Sequence, residues 1–539
     1  MGAGVTTSVA EHQERRLRCA AEESGSVADL LYFYAVQGNR EAIDALRERA
    51  MASPEDRVVH SLVTGASCDV LKAEAEGTHD PWVLYSVAKA LLRENRLEDA
   101  YDVMEAGLRQ GRGDVSTINL LIRFLASVGA PEMVTDLIGV SLELSPDQYD
   151  LVALRDDLRA GRSRRYPLYL EPLPRRFSVA FYLPVYNVER FIRRALEGIF
   201  AMNYPLEAVY VVDDGTPDDS IRVAEAFPVT VLRHDHNRGL AAARNTAFQH
   251  ADADCLGAID TDAYPDPGYA KYATMELENA APEVAGVGGR LQELHTDTPA
   301  DLWRALHLSQ DPGPVRIHPP RFLYGSNTLY DRKRVIAVGG YNERYRTNSE
   351  DGDIARKLLG AGYTFTVTPH AKAFHMRRDS VDSALRTLWG WAQAHREELG
   401  ILNSLDAALE EMPTILNQAV SLINDDMGDT ARHPAAYLDF LYLFHCTSQN
   451  LLSCHSRDLV GAGAVRYVQD TMLDSLAELD ARHGGALGGR VRADIGPMLM
   501  KATPEPLAAE QAAAFEAFMA ELRKVYAAIE PRAYTILEG

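Results

Sequence analysis

Short apolar runs with β character alternate with helical stretches between residues 178 and 262. The segments between these runs, such as VERFIRRALEGIF and GLAAARNTAFQHA, carry apolar residues at helical spacing. Strand–helix–strand repetition predicts a mostly parallel sheet with helices on both faces. The middle of the chain is therefore predicted to have an α/β fold. The four predicted strands lie in SVAFYLPVY, AVYVVDDG, VTVLRHDHN and CLGAIDTD.

Residues 27–165 have the spacing of paired helices instead. Apolar residues at helical spacing flank a polar turn at Asn95, and a second copy of the pattern has its turn at Gly129, 34 residues later. A 34-residue period is that of tetratricopeptide (TPR) repeats. We predict a TPR-like helical domain, which is either a scaffold or a groove for a peptide or protein acceptor.

Changes in local composition along the chain indicate the domain boundaries. Residues 158–177 are rich in Arg and Pro and are typical of a linker, and strand signals fade from about residue 394. The predicted organisation is a tail at 1–26, the TPR-like domain at 27–165, the α/β domain at 166–393 and a helical domain at 394–539.

Composition narrows the classes of partner. The chain of 539 residues has a formal net charge of −22, which disfavours nucleic acid as a partner. No apolar stretch approaches the ~20 residues that span a bilayer. The five cysteines are scattered without the short paired spacing of a zinc site, so reduced thiols in a cytoplasmic protein are expected. The oligomeric state is left open.

Polar residues follow every predicted strand. In an open parallel sheet, ligands bind at the carboxyl ends of the strands. Polar strand ends in succession therefore indicate a pocket. Its candidate residues are Pro184, Tyr186 and Asn187 after the first strand, Asp213 and Asp214 after the second, Asn237, Gly239 and Arg244 after the third, and Asp260 and Asp262 after the fourth.

Asp260 and Asp262 come directly after a buried strand, two residues apart. Their side chains point the same way if the extended geometry continues, so they repel unless a cation lies between them. Mg²⁺ or Mn²⁺ suits such a pair because these ions take carboxylates and complete their shell with substrate phosphates. An Asp-rich turn or helix cap is the alternative.

These segments resemble the family-2 glycosyltransferases of the GT-A fold. Five motifs stand in the family's order within residues 178–380, among them VYVVDDGTPDDS, NRGLAAARNTAF and IDTDAYPDPGY. The first is LPVYNVERFIRRALEGIFAMNYP and the last is VGGYNERYRTNSEDGDIARKLLGAGY. The resemblance implies a Rossmann-like GT-A catalytic domain flanked by N-terminal and C-terminal all-α domains.

The resemblance also implies roles for the pocket residues. The donor would be a UDP-sugar whose base and ribose lie against the first two strand ends. The implied donor-binding residues are Pro184, Tyr186 and Glu189 for base and ribose, Asp213 or Asp214 for uracil, Asn237 and Gly239 in the next loop, Arg244 for phosphates or sugar, and Asp260 for ribose or sugar.

The second half of the motif set implies the chemistry. Asp351 aligns with the family's catalytic base and Glu350 with its neighbour. Asp262 would bind the metal, and His375 would complete that site, with His370 as the competing histidine. A helix cap rich in acids and a surface histidine are the plain alternatives.

The implied activity is an inverting, metal-dependent transfer of a sugar from a UDP-sugar to a hydroxyl group. A protein or peptide is the favoured acceptor, because of the TPR-like region. A lipid-linked, glycan or small-molecule acceptor is the alternative with the same chemistry. A non-catalytic nucleotide-sugar-binding scaffold is the alternative without it.

Overall fold

The computed structural model describes most of the chain. The described residues are 8–78, 80–109, 115–128, 131–162, 177–398, 404–482, 494–496, 499–500, 515–516, 520 and 524. Most of the predicted linker, the turn residue Gly129, the first seven residues of the predicted tail and most of the chain after residue 482 lie outside them.

The first part of the described chain is helical. Residues 9–24, expected to belong to a tail, form a capped helix instead: Ser8 and Glu11 make a reciprocal capping box. This helix has only three buried positions, Gln13, Leu17 and Ala21, and one of them is polar. No apolar stripe therefore marked it in the sequence. The helices are α1 Val9–Ser24, α2 Ala28–Gln37, α3 Arg40–Ala45, α4 Arg47–Ala50, α5 Pro54–Thr64, α6 Cys68–Ala75, α7 Pro81–Arg93, α8 Leu97–Arg109, α9 Val115–Val128, α10 Pro131–Leu144 and α11 Tyr149–Arg159.

The predicted helical hairpins are present at α7–α8 and α9–α10. Asn95 turns the chain between α7 and α8 with a φ of 60°, a left-handed conformation that Asn tolerates better than most residues. The spacing of these helices follows the predicted 34-residue offset. Their assignment as tetratricopeptide repeats stays a prediction.

An eight-stranded sheet follows, with helices around it. The sheet order is β3-β2-β1-β4-β7-β6-β8-β5. β1 pairs in parallel with β2 and β4, and β2 with β3, whereas β4–β7, β6–β7 and β5–β8 are antiparallel. The strands are β1 Val179–Val185, β2 Ala208–Asp213, β3 Thr230–Arg233, β4 Cys255–Ile259, β5 Ala263–Pro265, β6 Val284–Glu293, β7 Asn327–Asp331 and β8 Thr364–His375.

The predicted α/β fold with flanking helices is confirmed, and the sheet is mixed. All four strands predicted from the apolar runs lie in its parallel half, with their carboxyl ends at one edge. The helices of this part are α12 Glu189–Ile199, α13 Ser220–Ala224, α14 Leu240–His250, α15 Tyr269–Asn279, α16 Pro299–His307, α17 Arg332–Ala337 and α18 Glu350–Gly360.

The last described helices are long. They are α19 Val381–Glu398, α20 Leu405–Met427, α21 His433–Ser456 and α22 Ala462–Arg482, with a 3₁₀ turn at Thr430–Arg432 before α21. Within the described part of the chain, no helix combines the length and apolar character needed to cross a membrane.

The chain divides into two compact units, and their limits differ from the predicted boundaries. The first unit comprises residues 1–292 and 310–376, and the second comprises 293–309 and 377–539. The predicted TPR-like region thus shares a unit with the sheet. Residues 293–309, predicted to belong to the catalytic domain, form part of the second unit because α16 buries Trp303 in the same apolar cluster as Leu385 and Tyr442.

Buried ion pairs explain why the N-terminal helices and the sheet form one unit. Lys89 on α7 lies 3.0 Å from Glu278 on α15, and both side chains are sealed from solvent. Gln148, just before α11, accepts a hydrogen bond from Arg316, which also pairs with Glu276 at 2.7 Å. Removing one partner of such a pair leaves an uncompensated buried charge, typically at a cost of about 3–5 kcal/mol.

Candidate active site

The carboxyl ends of β1, β2 and β4 border a cavity of about 490 Å³. A parallel sheet presents its ligand site at this edge. The loops that follow the strands form the walls of the cavity. The lining residues are Pro184, Val185, Tyr186, Val188, Asp214, Asn237, Gly239, Leu240, Ala243, Asp260, Thr261, Asp262, Arg346 and Thr347.

Asp214 shapes the loop after β3. Its carboxylate accepts hydrogen bonds from the backbone N–H groups of Arg238 and Gly239, both at 2.8 Å, and lies 2.7 Å from His234 Nδ1. Asp213 instead accepts from the Thr216 N–H at 2.9 Å and is not among the cavity-lining residues. Of the two uracil candidates, only Asp214 therefore reaches the cavity wall.

Gly239 is required where this loop meets the segment before α18. Its φ is +98°, and a Cβ there would lie 2.8 Å from the carbonyl oxygen of Arg346. That carbonyl accepts a hydrogen bond from the Leu240 N–H at 2.7 Å. The Arg346 guanidinium in turn donates to the backbone oxygen of Asn237 at 2.9 Å and to its Oδ1 at 2.8 Å.

Arg346 and Thr347 are lining residues that the sequence reading missed. Both are exposed, and Arg346 brings a cation to the cavity. Two arginines, Arg344 and Arg346, stand shortly before the predicted catalytic acids in NERYRTNSED and could have indicated a cation at the site.

Arg244, predicted to reach the donor phosphates or sugar, lies beneath the cavity. Only 1% of its side chain is exposed. Its Nη1 donates to the carbonyl oxygen of Gly325 at 2.9 Å and to the Tyr182 hydroxyl at 3.1 Å. Nε lies 3.3 Å from Glu350 Oε1, and Nη2 lies 3.5 Å from Asp260 Oδ1. Arg244 therefore projects from α14 into a buried network in which its guanidinium connects Glu350 to Asp260.

Asp260, Asp262 and His375 come together at one side of the cavity. The antiparallel pairing of β5 with β8 places Ala263 opposite His375, and His375 Nε2 lies 3.3 Å from Asp262 Oδ2. His375 is buried, whereas the competing His370 packs its ring 5.4 Å from that of Tyr272.

Asp260 has an ion-pair partner in Arg244 but lacks a hydrogen bond at Oδ1. Its Oδ1 is buried and has no hydrogen-bond partner among the described residues. Burial raises the pKa of Asp260; the nearby Arg244 opposes this, and the charges of Asp262 and Asp351 add to it. A cation placed beside Asp260 and Asp262 would relieve this repulsion.

Glu350 and Asp351 open α18. Burial raises the pKa of Glu350 to about 7, against the opposing charge of Arg244 and with a further contribution from Asp351. Asp351 is half-buried and accepts hydrogen bonds from the N–H groups of Gly352 at 2.7 Å and Gly325 at 3.4 Å. Ser349, the residue just before α18, has a φ of 70°. This is a strained conformation of the kind that clusters at functional sites.

The structure thus brings together part of the predicted set. Glu189 makes its contact through its backbone N–H, which donates to Asp218 at 2.9 Å. The predicted residues that line the cavity are Pro184, Tyr186, Asp214, Asn237, Gly239, Asp260 and Asp262. The predicted residues that are not among its lining residues are Glu189, Asp213, Arg244, Glu350, Asp351 and His375.

Comparison with known proteins identifies the class of this domain. Residues 181–338 match the family model described as Glycosyl transferase family 2. The chain therefore contains a glycosyltransferase domain. For residues 181–338, this match confirms the resemblance to the family-2 glycosyltransferases found in the motifs.

The similar proteins match part of the chain. The pre-mycofactocin glycosyltransferase of Mycobacterium tuberculosis is 30% identical over 214 residues, which are 38% of this chain and 44% of the relative. The poly-β-1,6-N-acetyl-D-glucosamine synthase of Staphylococcus aureus is 24% identical over 41% of this chain and 55% of its own length. The chain thus spans about half the length of these curated relatives.

One solved structure with a similar chain is the mannosyltransferase PcManGT from Pyrobaculum calidifontis in complex with GDP-Man and Mn²⁺. It is 18% identical, covers 72% of this chain and 100% of its own, and has a TM-score of 0.32.

Proposed function

We propose that the chain is an inverting glycosyltransferase that moves a sugar from a nucleotide-sugar donor, a UDP-sugar, to a hydroxyl acceptor. One observation carries the proposal: Asp260 and Asp262, inside the family-matched segment, meet His375 beside a cavity at the carboxyl ends of parallel strands.

The cavity offers the groups that a nucleotide diphosphate needs. Tyr186 is 49% exposed at the end of β1, so its ring is available to stack on a base. The loop held by Asp214 lines the same cavity through Asn237 and Gly239. Arg346 supplies a cation, and an arginine guanidinium suits phosphate oxygens in charge and geometry.

The acidic side of the cavity fits a divalent cation. Asp260 Oδ1 lies 3.5 Å from Arg244 but accepts no hydrogen bond from the described residues, and His375 approaches Asp262 to 3.3 Å, so a cation placed here would be stabilised by both carboxylates. Asp262 and His375 would hold Mn²⁺ or Mg²⁺, with Asp260 beside them. When bound, such an ion neutralises the charge of a nucleoside diphosphate leaving group.

Asp351 is the proposed general base. It takes the proton of the acceptor hydroxyl while that oxygen attacks the anomeric carbon, and the nucleoside diphosphate departs from the opposite face. A positioned base of this kind contributes about 10²–10⁴-fold to the rate. Glu350 and Arg244 act as positioning residues: they connect the start of α18 to Asp260 through buried contacts.

A protein or peptide is the proposed acceptor. The support is the helical region α7–α10, which shares a unit with the catalytic sheet, and a small cleft of about 220 Å³ lined by residues of α6, α7 and α8. Lipid-linked, glycan and small-molecule acceptors are the rivals. The cytoplasmic location expected from the sequence stays a prediction.

Calorimetric titration tests the donor site. UDP, GDP and a panel of UDP-sugars are titrated with and without Mn²⁺. We expect metal-dependent UDP binding that is lost in Asp262→Ala and kept in Asp351→Ala. Absence of nucleotide binding under every metal condition would overturn the transferase proposal and favour a helical scaffold.

A further inference from the structure

A second group of metal-ligand side chains lies within the second unit, apart from the residues used above. His307 ends α16, Asp426 lies in the last turn of α20, and Asp439 lies on α21. His307 Nε2 is 2.7 Å from Asp426 Oδ2 and 3.5 Å from Asp439 Oδ1. The three ligand atoms all lie within 4.8 Å of one another.

Both carboxylates are sealed, and both are short of partners. Asp426 and Asp439 are 0% exposed. Asp426 Oδ1 and Asp439 Oδ2 have no hydrogen-bond partner among the described residues. Each carboxylate therefore has one oxygen that accepts no hydrogen bond from the described residues, in an interior where a buried charge is normally paired or bound to a metal.

The neighbouring groups orient these acids without neutralising both. The indole N–H of Trp303 donates to Asp439 Oδ1 at 2.7 Å, which fixes that carboxylate. Arg432 approaches Asp426 Oδ1 only to 3.9 Å, and its side chain is 43% exposed. Asp425 and Asp426 also sit at the carboxyl end of α20, where the helix dipole disfavours negative charge and favours a cation.

We propose that His307, Asp426 and Asp439 form a structural binding site for a divalent transition-metal ion, Zn²⁺ or Mn²⁺. One imidazole nitrogen with two carboxylate oxygens is a donor set that these ions accept. Because the two carboxylates are sealed, the ion stabilises the packing of α16, α20 and α21 and takes no part in sugar transfer.

A proton shared between the two aspartates is the rival arrangement. Burial raises the pKa of Asp439 to about 9; the Trp303 hydrogen bond opposes this, and Asp426 adds to the rise. A neutral acid would then satisfy one carboxylate without any ion. The two arrangements differ in metal content, so they can be separated by direct measurement.

The test counts metal in the full chain carrying Asp262→Asn, which removes one of the two ligands proposed for the donor site. The protein is stripped with a chelator, incubated separately with Zn²⁺, Mn²⁺ or Mg²⁺, desalted and analysed by elemental mass spectrometry. Thermal unfolding is recorded in parallel. We expect close to one equivalent of Zn²⁺ or Mn²⁺, little Mg²⁺, and a Tm that rises with the ion.

Adding Asp439→Asn is expected to abolish both the retained metal and the metal-dependent rise in Tm. Asp429→Asn, at an exposed neighbouring carboxylate, is the matched control and is expected to change neither. If Asp439→Asn does not fold, His307→Gln replaces it with the same expected losses.

Failure of this inference is distinct from failure of the donor-site proposal. If the stripped Asp262→Asn chain retains no added metal and its Tm does not respond to the ion, the metal site is overturned. A proton shared between Asp426 and Asp439 is then the favoured arrangement. The wild-type nucleotide titration is unaffected by that result. Retention of metal after Asp439→Asn would likewise show that the ion is held elsewhere and overturn the assignment.

Discussion

Among the described residues, two clusters each combine one histidine with two aspartates, and they differ in exposure more than in ligand type. Asp260 and Asp262 are 30% and 29% exposed, beside a histidine that is almost sealed. Asp426 and Asp439 are 0% exposed. The first pair lines a cavity, whereas the second pair is closed off by the packing of helices.

Exposure decides what can complete each cluster. An ion at the open cluster can take further ligands from a substrate diphosphate, as hard divalent ions do in phosphate-handling sites. At the sealed cluster, only an ion or a proton fits with the groups already present. From the same types of donor group, we therefore propose a reacting site at the open cluster and a structural site at the sealed one.

The largest effect is expected for Asp351→Asn. If Asp351 is the general base, turnover should fall by about 10²–10⁴-fold, because the acceptor hydroxyl loses the group that takes its proton. Nucleotide affinity should change little. Steady-state release of nucleoside diphosphate and a UDP titration measure the two quantities. Asp353→Asn, in the same first turn of α18, is the control; equal loss in both variants would contradict the assignment.

Asp262→Asn should come next, with turnover lower by on the order of 10²–10³-fold and with metal-dependent UDP binding abolished. The reason is that the open cluster loses a ligand on which the diphosphate depends. Titration calorimetry with and without Mn²⁺ measures it. Asp254→Asn, at the opposite end of β4, is the matched control, since its carboxylate only accepts hydrogen bonds from Ser178. Metal-dependent UDP binding that persists in Asp262→Asn would show that the open cluster does not hold the metal on which UDP binding depends.

Arg346→Ala is expected to weaken UDP binding by about tenfold, in keeping with the loss of one or two charge-assisted hydrogen bonds at an exposed site. Arg344→Ala serves as its control, two residues away and also exposed. The measurement is the dissociation constant for UDP in each variant. Equal affinities in the two variants would remove Arg346 from the donor site.

The smallest effect concerns Glu350 and pH. Its pKa rises on folding from 4.5 to about 7, so the folded state holds the proton more tightly. The contribution of Glu350 to the free energy of unfolding is therefore fully present below pH 4.5 and is lost as pH rises through 7. Urea unfolding across this range should show a stability difference between wild type and Glu350→Gln that changes with pH. A constant difference would mean that Glu350 is not buried as described.

Local sequence patterns predicted the parallel half of the sheet well. The run CLGAI predicted a strand that the structure places at Cys255–Ile259, and the polar residues after it line the cavity. Such runs are informative because a strand buried on both faces must be apolar throughout. The carboxyl-end rule then locates the ligand edge without any knowledge of the loops.

Long-range contacts set the limit of prediction. An arginine on a helix is usually solvated or bound to phosphate, and nothing near Arg244 in the chain indicated that Gly325 and Glu350 would enclose it. His307, Asp426 and Asp439 come from segments separated by up to 132 positions, and no spacing rule joins them. By contrast, Asp260 and Asp262 were recognisable because they are neighbours after one strand.

The contact made by α1 has a consequence for synthesis on the ribosome. Gln13 is fully buried, and its side chain makes hydrogen bonds with the backbone of Met202, Tyr204 and Leu206. These partners lie 189–193 residues further along the chain. At about 5–20 residues per second, translation needs roughly 10–40 s to reach them. During that interval the nascent helix has its own capping box and nearby partners such as Tyr34, whose hydroxyl donates to Glu14, but Gln13 stays hydrated until residues 202–206 emerge.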